Sequence, residues 1–341
     1  MARVRRTDRG VIRLTGADRA TWLQGLVTND LLALGPGRRI YSAWLTPQGR
    51  MITDLWLIAA PEALLLDVPA PLSAALATRL DGLVFAEDVQ VADLSATVAC
   101  NLMVGTRVLA SDVPATHVPR AEVHGAEASA GILSGMPPAG AAHGVLVGDD
   151  TYGRPCLVAY GDFEALLDAH GLTSLRGAPE VGLDTFEVFR IEAGVPRFLA
   201  DMTEDTIPLE AGIEDRAISF TKGCYVGQEI IVRVTTRGGG RVARRLVGLM
   251  VDAGGAQLDE APSADGGHAA AVPAAGAPLH AGERVVGHLT SVARSPRFKS
   301  VIALGYVHRD FVSPGTRLEV RHAEQQVPAV VTPLPFVDAS R

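Results

Sequence analysis

The stretch Lys222-Gly223-Cys224-Tyr225-Val226-Gly227-Gln228-Glu229 carries more information about fold and function than any other part of the sequence. Two glycines flank a Cys-Tyr pair, and glycine permits a tight turn or a close approach of the backbone to a ligand. A thiol beside a lysine and just before a helix has its thiolate form favoured by positive charge. The pattern therefore predicts that Cys224 is a reactive thiol. The competing interpretation is a small packing residue in a turn, which is the commoner role of a single cysteine.

The segment that follows, 229–234, is rich in β-branched residues and is compatible with a helix or a strand. The two other cysteines, Cys100 and Cys156, lie in apolar, strand-like runs, where burial favours the neutral thiol. Three widely spaced cysteines indicate reduced thiols and not a disulfide framework. The sequence has no CxxC pair, and its nine histidines show no HxH or HExxH spacing, so no metal site is predicted.

The composition excludes several classes of protein. The chain has 341 residues, 48% of them hydrophobic, which is enough for a large core and too much for a disordered chain. A net charge of −7 argues against direct binding of nucleic acid or of an anionic membrane. The longest apolar run, 55–60, is far shorter than the ~20 residues that cross a bilayer. Charged residues also interrupt the N-terminal segment that would have to be a signal peptide. We therefore expect a cytoplasmic protein without membrane association.

Outward from the octapeptide, the sequence predicts mixed structure followed by β structure. The N-terminal part predicts strands at 11–14, 41–45, 51–59 and 64–68 and a helix at 71–83, which is typical of an α+β fold. A second helix is predicted at 183–193, ended by Gly194 and Pro196. Short β-prone pieces at 244–251, 284–291, 301–307 and 317–320 predict a small barrel. We therefore predict three parts, 1–110, 111–240 with the octapeptide, and 241–341 with a flexible loop at 252–278.

The octapeptide resembles the KGCYxGQE signature of the YgfZ-type folate-binding proteins, relatives of the aminomethyltransferase (T-protein) of the glycine-cleavage system. Further segments resemble the same family. They are residues 16–30, the Arg-Ile-Glu-Ala-Gly-Val-Pro run at 190–196, Thr290-Ser291 and residues 303–306. The resemblance covers nearly the whole chain except 111–143 and 252–278.

The resemblance implies an α+β, GcvT-like multi-part fold with N-terminal α+β folate-binding parts, a small C-terminal β-barrel and a tetrahydrofolate pocket. It further implies an accessory protein, more than a classical transferase, that supports the assembly, maintenance or repair of iron–sulfur enzymes. Those enzymes include tRNA-modifying radical enzymes. The expected ligand is tetrahydrofolate, and the expected partners are iron–sulfur client enzymes.

The resemblance also assigns candidate site residues. Cys224 and Lys222 are the candidate catalytic residues. Glu192 is expected to bind the pterin edge, because a carboxylate can accept hydrogen bonds from an exocyclic NH₂ and the neighbouring ring N–H. A solvated carboxylate at a helix end is the alternative for Glu192. The remaining candidate folate contacts are Phe186, Asp54, Tyr225, Gln228, Gly223 and Gly227.

Two of these residues and the function itself leave alternatives open. Phe186 could stack on the pterin ring or pack in the core. Aminomethyltransferases carry a pair of aspartates where this chain has Thr53-Asp54, and that departure argues against aminomethyl transfer. The alternative functions are a folate-dependent aminomethyltransferase of the glycine-cleavage type and a non-enzymatic iron–sulfur carrier with a vestigial folate pocket.

Overall fold

In the computed structural model of the protein, residues 1–35, 38–60, 62–105, 144–237, 239–252, 272–322 and 325–336 are described. The segment 111–143 and most of the predicted loop at 252–278, from 253 to 271, lie outside these residues. The chain divides into two units. The first comprises Met1–Leu183 and Asp215–Gln228, and the second comprises Asp184–Glu214 and Glu229–Arg341.

Two five-stranded sheets form the framework of the first unit. Their strands are β1 (Ala2–Arg5), β2 (Arg9–Thr15), β3 (Arg39–Leu45), β4 (Met51–Ala59), β5 (Leu64–Pro69), β6 (Gln90–Asp93), β7 (Cys100–Val104), β8 (Gly144–Asp149), β9 (Cys156–Gly161) and β10 (Glu180–Val181). One sheet has the strand order β3-β4-β5-β2-β6 and the other has the order β10-β1-β7-β9-β8. All neighbouring strands are antiparallel except β1 and β10.

Strand β4 shows why the sequence forms the first of these sheets. It is apolar at almost every position and is buried along nearly its whole length, as expected for a strand covered on both faces. The turn that precedes it contains Gly49 at φ 74°, a conformation that glycine adopts without strain. The two polar residues within β4, Thr53 and Asp54, are only 1% and 3% exposed. A carboxylate buried to this degree needs partners that compensate for its lost hydration.

The α-helices of the described residues are short. They are α1 (Arg19–Gln24), α2 (Ser73–Asp81), α3 (Phe163–Ala169), α4 (Leu183–Glu192), α5 (Pro208–Ala211), α6 (Glu214–Ala217) and α7 (Gln228–Val232). Four 3₁₀ turns accompany them, at Leu31–Ala33, Ala70–Leu72, Thr173–Leu175 and Arg309–Phe311. The segment after the octapeptide is therefore helical, and α7 continues as a π-helical turn, Arg233–Arg237. No helix of the described residues is both long and apolar enough to cross a membrane.

The second unit contains a closed β-barrel with the strand order β11-β14-β13-β12-β15-β16. Its strands are β11 (Arg244–Val251), β12 (Pro278–Ala281), β13 (Arg284–Ser295), β14 (Ser300–His308), β15 (Arg317–His322) and β16 (Gln325–Thr332). Alternate apolar side chains fill its core, among them Leu249, Leu279, Leu289 and Val320. The α+β fold with a C-terminal barrel that the sequence predicts is confirmed, and the helix predicted at 183–193 is α4.

Candidate functional site

Lys222 anchors the octapeptide to the end of helix α1. Its Nζ donates to the backbone carbonyls of Gln24 and Val27, at 2.6 Å each, and to that of Asn29 at 3.0 Å. An ammonium group has three N–H donors, so all of them are used. Carbonyls at the end of a helix lack partners within the helix and are stabilised by a nearby cation. The side chain therefore caps the carbonyl of Gln24, the last residue of α1, from 198 positions away in sequence, and it also binds two carbonyls of the segment that follows the helix.

On either side of the Lys222 contact, further hydrogen bonds join the segment after α1, residues 25–28, to residues 217–226. The hydroxyl of Thr28 donates to the carbonyl of Ala217 at 2.6 Å, and the Ser219 amide donates to the carbonyl of Thr28 at 3.0 Å. Beyond the thiol, the Val226 amide donates to the carbonyl of Gly25 at 3.2 Å. The loop is thus fixed at both ends, and Cys224 lies between the fixed points.

The side chains of the loop differ in exposure. Cys224 is exposed, whereas Tyr225 is only 7% exposed and Gln228, the first residue of α7, is half-buried. The Lys222 Nζ lies 5.3 Å from the centre of the Tyr225 ring, within the range of a cation–π contact. Burial raises the pKa of Tyr225 to about 12, so its phenol is neutral at physiological pH. Burial lowers the pKa of Lys222 to about 8, and the charge of Asp30 acts in the opposite direction.

The two glycines of the octapeptide have different surroundings. Gly227 has φ 85°, and a Cβ atom there would lie 2.5 Å from the Thr46 carbonyl oxygen and 3.1 Å from the Leu45 Cβ. Gly223 shows no positive φ, and a Cβ atom there would meet no heavy atom of the described residues within 4 Å. Glycine is therefore required by the local backbone at 227 but not at 223.

Gly227→Ala is expected to lower the free energy of unfolding of the first unit by about 2–4 kcal/mol, since it adds left-handed strain to a steric clash. All three tryptophans, Trp22, Trp44 and Trp56, lie in this unit, so urea titration followed by tryptophan fluorescence measures the change. Gly223→Ala is the matched control and should change stability by no more than about 0.5 kcal/mol. Equal effects of the two substitutions would contradict this account.

Asp54 belongs to a buried ionic network that the sequence did not predict. Its Oδ1 lies 3.3 Å from an Arg9 guanidinium nitrogen, and its Oδ2 accepts a hydrogen bond from the Tyr41 hydroxyl at 3.0 Å. Arg9 also donates to Asp67 at 2.5 Å, and the Tyr160 hydroxyl donates to Asp67 at 2.6 Å. Both oxygens of Asp54 therefore have partners within the protein.

The same network connects Asp54 with the octapeptide loop. The Asn29 side-chain amide donates to the carbonyls of Tyr41 and Arg216, at 2.8 Å each, while the Asn29 carbonyl accepts from Lys222. The first unit thus contains Asp54, the glycines, Tyr225, Gln228, Lys222 and Cys224. Glu192 and Phe186 belong to the second unit.

In the second unit, Glu192 ends helix α4 and is half-buried. Its Oε1 accepts a hydrogen bond from the Ser295 hydroxyl at 2.5 Å, and Oε2 takes no hydrogen bond from the residues that the structure describes. Phe186, earlier in α4, is 2% exposed and lies in the interior of the unit. The carboxylate therefore has an oxygen available for a ligand, whereas the ring would meet a ligand only if the ligand were itself enclosed.

Arg190 forms a second buried network, which joins α4 to the barrel and which the sequence also did not predict. It is 1% exposed, and its guanidinium donates to Glu187, to Asp201 at 2.7 Å and to the Ser291 hydroxyl at 2.7 Å. Burial opposes its charge, but Asp201 and Glu187 outweigh burial and raise the pKa of Arg190. The sequence indicates this network only through Arg190 itself, a charged residue on the apolar face of the helix predicted at 183–193.

Comparison with known proteins finds similar sequences and structures. Residues 244–338 match the model of the glycine cleavage T-protein C-terminal barrel domain. An aminomethyltransferase of Thermosynechococcus vestitus is 29% identical over 320 residues, covering 92% of this chain and 78% of that protein. A crystal structure of the glycine cleavage system aminomethyltransferase T from Bartonella henselae superposes with a TM-score of 0.73 at 20% identity. The superposition covers 98% of this chain and 86% of the other.

The chain is thus similar to proteins of the GcvT-like aminomethyltransferase superfamily, in its barrel domain and over most of its length. Within the residues described, its GcvT-like fold combines mixed α and β structure with the closed six-stranded barrel. A protein of Aspergillus fumigatus named iron-sulfur cluster assembly factor IBA57 homolog, mitochondrial, is 27% identical over 292 residues. That match covers 80% of this chain and 62% of that protein. The proteins to which this chain is similar therefore include one named for iron–sulfur assembly as well as transferases.

Proposed function

We propose that this GcvT-like protein is a YgfZ-type, tetrahydrofolate-binding accessory protein that supports the assembly, maintenance or repair of iron–sulfur enzymes. The observation that carries the proposal is the octapeptide loop, which is fixed at both ends and exposes the thiol of Cys224. The other two thiols, Cys100 and Cys156, are 4% and 0% exposed. A single accessible thiol on an anchored loop suits contact with a partner protein. Its clients would be iron–sulfur enzymes, including tRNA-modifying radical enzymes, in the cytoplasm.

The cellular test of this proposal is complementation. In a strain that lacks the gene, the wild-type protein should restore the activity of its iron–sulfur enzymes, and Cys224→Ser should not. Cys156→Ser is the matched control, because it removes a buried thiol and should restore activity when the protein folds. Full restoration by Cys224→Ser would exclude the thiol from the function.

Tetrahydrofolate, when bound, would supply a reduced pterin able to carry a one-carbon unit. Glu192 would hold it, because a half-buried carboxylate with one oxygen unpaired among the described residues fits the adjacent N–H donors of a pterin edge. Ser295 would fix the orientation of that carboxylate through its 2.5 Å hydrogen bond. Phe186, Asp54, Tyr225, Gln228, Gly223 and Gly227 stay predicted contacts.

Glu192→Gln is expected to weaken tetrahydrofolate binding about five- to one-hundred-fold, since an unpaired buried donor costs roughly 1–3 kcal/mol. Isothermal titration calorimetry under anaerobic conditions measures the affinity of both proteins. Glu283→Gln is the control, because Glu283 is exposed in the same unit and pairs only with Arg321 among the residues described. Equal affinities of wild type and Glu192→Gln would remove Glu192 from the site. No binding by wild type would remove the folate assignment.

The names of the relatives also favour a second candidate, aminomethyl transfer of the glycine-cleavage type. Against it stands Thr53 in place of a second aspartate, together with the pairing of both Asp54 oxygens to Arg9 and Tyr41. Formation of methylenetetrahydrofolate from an aminomethylated lipoyl carrier at about 1 per second or faster would establish the transferase instead. The third candidate, an iron–sulfur carrier, would show a cluster absorption spectrum in the anaerobically purified protein.

A further inference from the structure

Lys222 is one of only two lysines in the chain, the other being Lys299, although Lys and Arg together number 31. The chain therefore uses arginine almost everywhere that it needs a positive charge. At Lys222 three carbonyl oxygens converge on one nitrogen atom, within 2.6–3.0 Å. A compact ammonium group with three donors suits that arrangement, whereas the planar fork of a guanidinium suits a carboxylate or a phosphate. The geometry accounts for the choice of lysine at this position.

The anchored ammonium has a direct consequence for the thiol. Lys222 and Tyr225 both direct their side chains into the first unit, and the two residues between them, Gly223 and Cys224, are exposed. Since the loop is held on one side by the Lys222 anchor and on the other by the Val226 amide, the intervening residues have little freedom. The exposure of Cys224 is thus set by contacts that its own side chain does not make.

We propose that Lys222 is a positioning residue, which holds the Cys224 loop outward by binding the carbonyl of Gln24 at the end of α1 and those of Val27 and Asn29 in the segment that follows, and is not a proton donor or acceptor. This inference rests on the proposed role of Cys224. It differs from the expectation drawn from sequence, in which Lys222 is a catalytic residue. An ammonium group whose three N–H bonds all point to carbonyls has no donor to offer a reacting group, and while protonated it has no lone pair with which to accept a proton.

The wild-type protein provides the first test, because its two lysines differ in environment. Lys299 is exposed and serves as the internal control. Labelling with an N-hydroxysuccinimide ester at pH 7.5, followed by mass spectrometry, should modify Lys299 at least about tenfold faster than Lys222, as expected for an engaged amine. An amine whose pKa is lowered to about 8 and which is free to react would label as fast as Lys299 or faster. That result would overturn the proposal.

Lys222→Ala provides the second test. Amide hydrogen exchange at Ser219 and Val226 should become at least about tenfold faster, since the loss of several charge-assisted bonds frees the loop. Alkylation of Cys224 by iodoacetamide should not slow down at pH 6.5, 7.5 or 8.5. Propylammonium, which replaces the missing part of the side chain, should restore slow amide exchange to Lys222→Ala. The separate variant Lys222→Arg should show the same fast exchange as Lys222→Ala. Unchanged exchange would show that Lys222 does not hold the loop, and alkylation that slows by a factor dependent on pH would show that Lys222 is a charge partner of the thiol. Either result would overturn the proposal.

None of these measurements requires folate or a client enzyme. If wild type bound no tetrahydrofolate but showed the expected labelling and exchange, the proposed function would fail and the role of Lys222 would stand. If Lys222→Ala did not fold, lysine labelling of the wild-type protein and amide hydrogen exchange of Lys222→Arg would still decide whether Lys222 anchors the loop.

Discussion

Asp201→Ala is expected to lower the free energy of unfolding of the second unit by about 3–5 kcal/mol, because it leaves a buried charge without its main partner. Asp201 is 2% exposed and accepts hydrogen bonds from Arg190, from the hydroxyls of Thr290 and Ser291 and from the Arg197 amide. Glu187 alone cannot compensate for the buried guanidinium, since it lies at the rim of the network and is partly exposed. The loss should appear as a large shift in the urea midpoint.

The measurement must report on the second unit, which contains no tryptophan. Hydrogen exchange of barrel peptides, followed by mass spectrometry across a urea series, meets that need. The urea midpoint of Asp201→Asn should lie between those of Asp201→Ala and the wild type, because asparagine keeps an acceptor oxygen but loses the negative charge. Glu283→Ala removes the carboxylate of an exposed ion pair with Arg321 and should leave the midpoint almost unchanged. A small effect of Asp201→Ala would show that the network does not stabilise the barrel.

The sequence predicts the position of elements where local pattern and tertiary structure agree. Strands β4 and β11 have the predicted limits, since turn residues bound each of these β-prone runs on both sides and leave little choice of boundary. Strand β13 extends four residues beyond the predicted 291, to Ser295. Its extra length comes from pairing with β14, in which Arg294 lies opposite Val301 and Ser295 opposite Ser300. Such pairing depends on the partner strand and leaves no local pattern.

The candidate site is predictable only in part, because its contacts join residues far apart in sequence. The segment 222–229 identifies Cys224 as the distinctive thiol, and the apolar spacing of the predicted helix at 183–193 is compatible with either Phe189 or Arg190 on its inward face. The structure buries Arg190 and leaves Phe189 partly exposed, since two carboxylates compensate for the guanidinium. Charged residues within apolar runs, such as Asp54 and Arg190, are the signal that would have pointed to both networks. Their partners follow only from the fold.

Iodoacetamide at pH 7.5 is expected to alkylate Cys224 at least about one-hundred-fold faster than either other thiol in the folded protein, because reaction needs access and a thiolate. Cys100 and Cys156 lie in strands β7 and β9, and both are described as buried, in contrast to exposed Cys224. Burial raises the pKa of both strand thiols, and the negative charges of Asp67 near Cys100 and of Asp149 near Cys156 add to this effect.

Mass spectrometry of a labelling time course resolves the three thiols. Raising the pH from 7.5 to 9 should still leave Cys100 and Cys156 unlabelled, since a thiol with a raised pKa stays protonated over that range. In 6 M guanidinium, where unfolding removes the difference in access, all three should label at similar rates, as expected for unfolded thiols of about pKa 8.5. Cys224→Ser should take up no label in the native state and should take up two in denaturant. Rapid labelling of Cys100 or Cys156 in the native protein would mean that strand β7 or β9 opens. Cys224 would then no longer be the one accessible thiol among the three cysteines, all of which the structure describes.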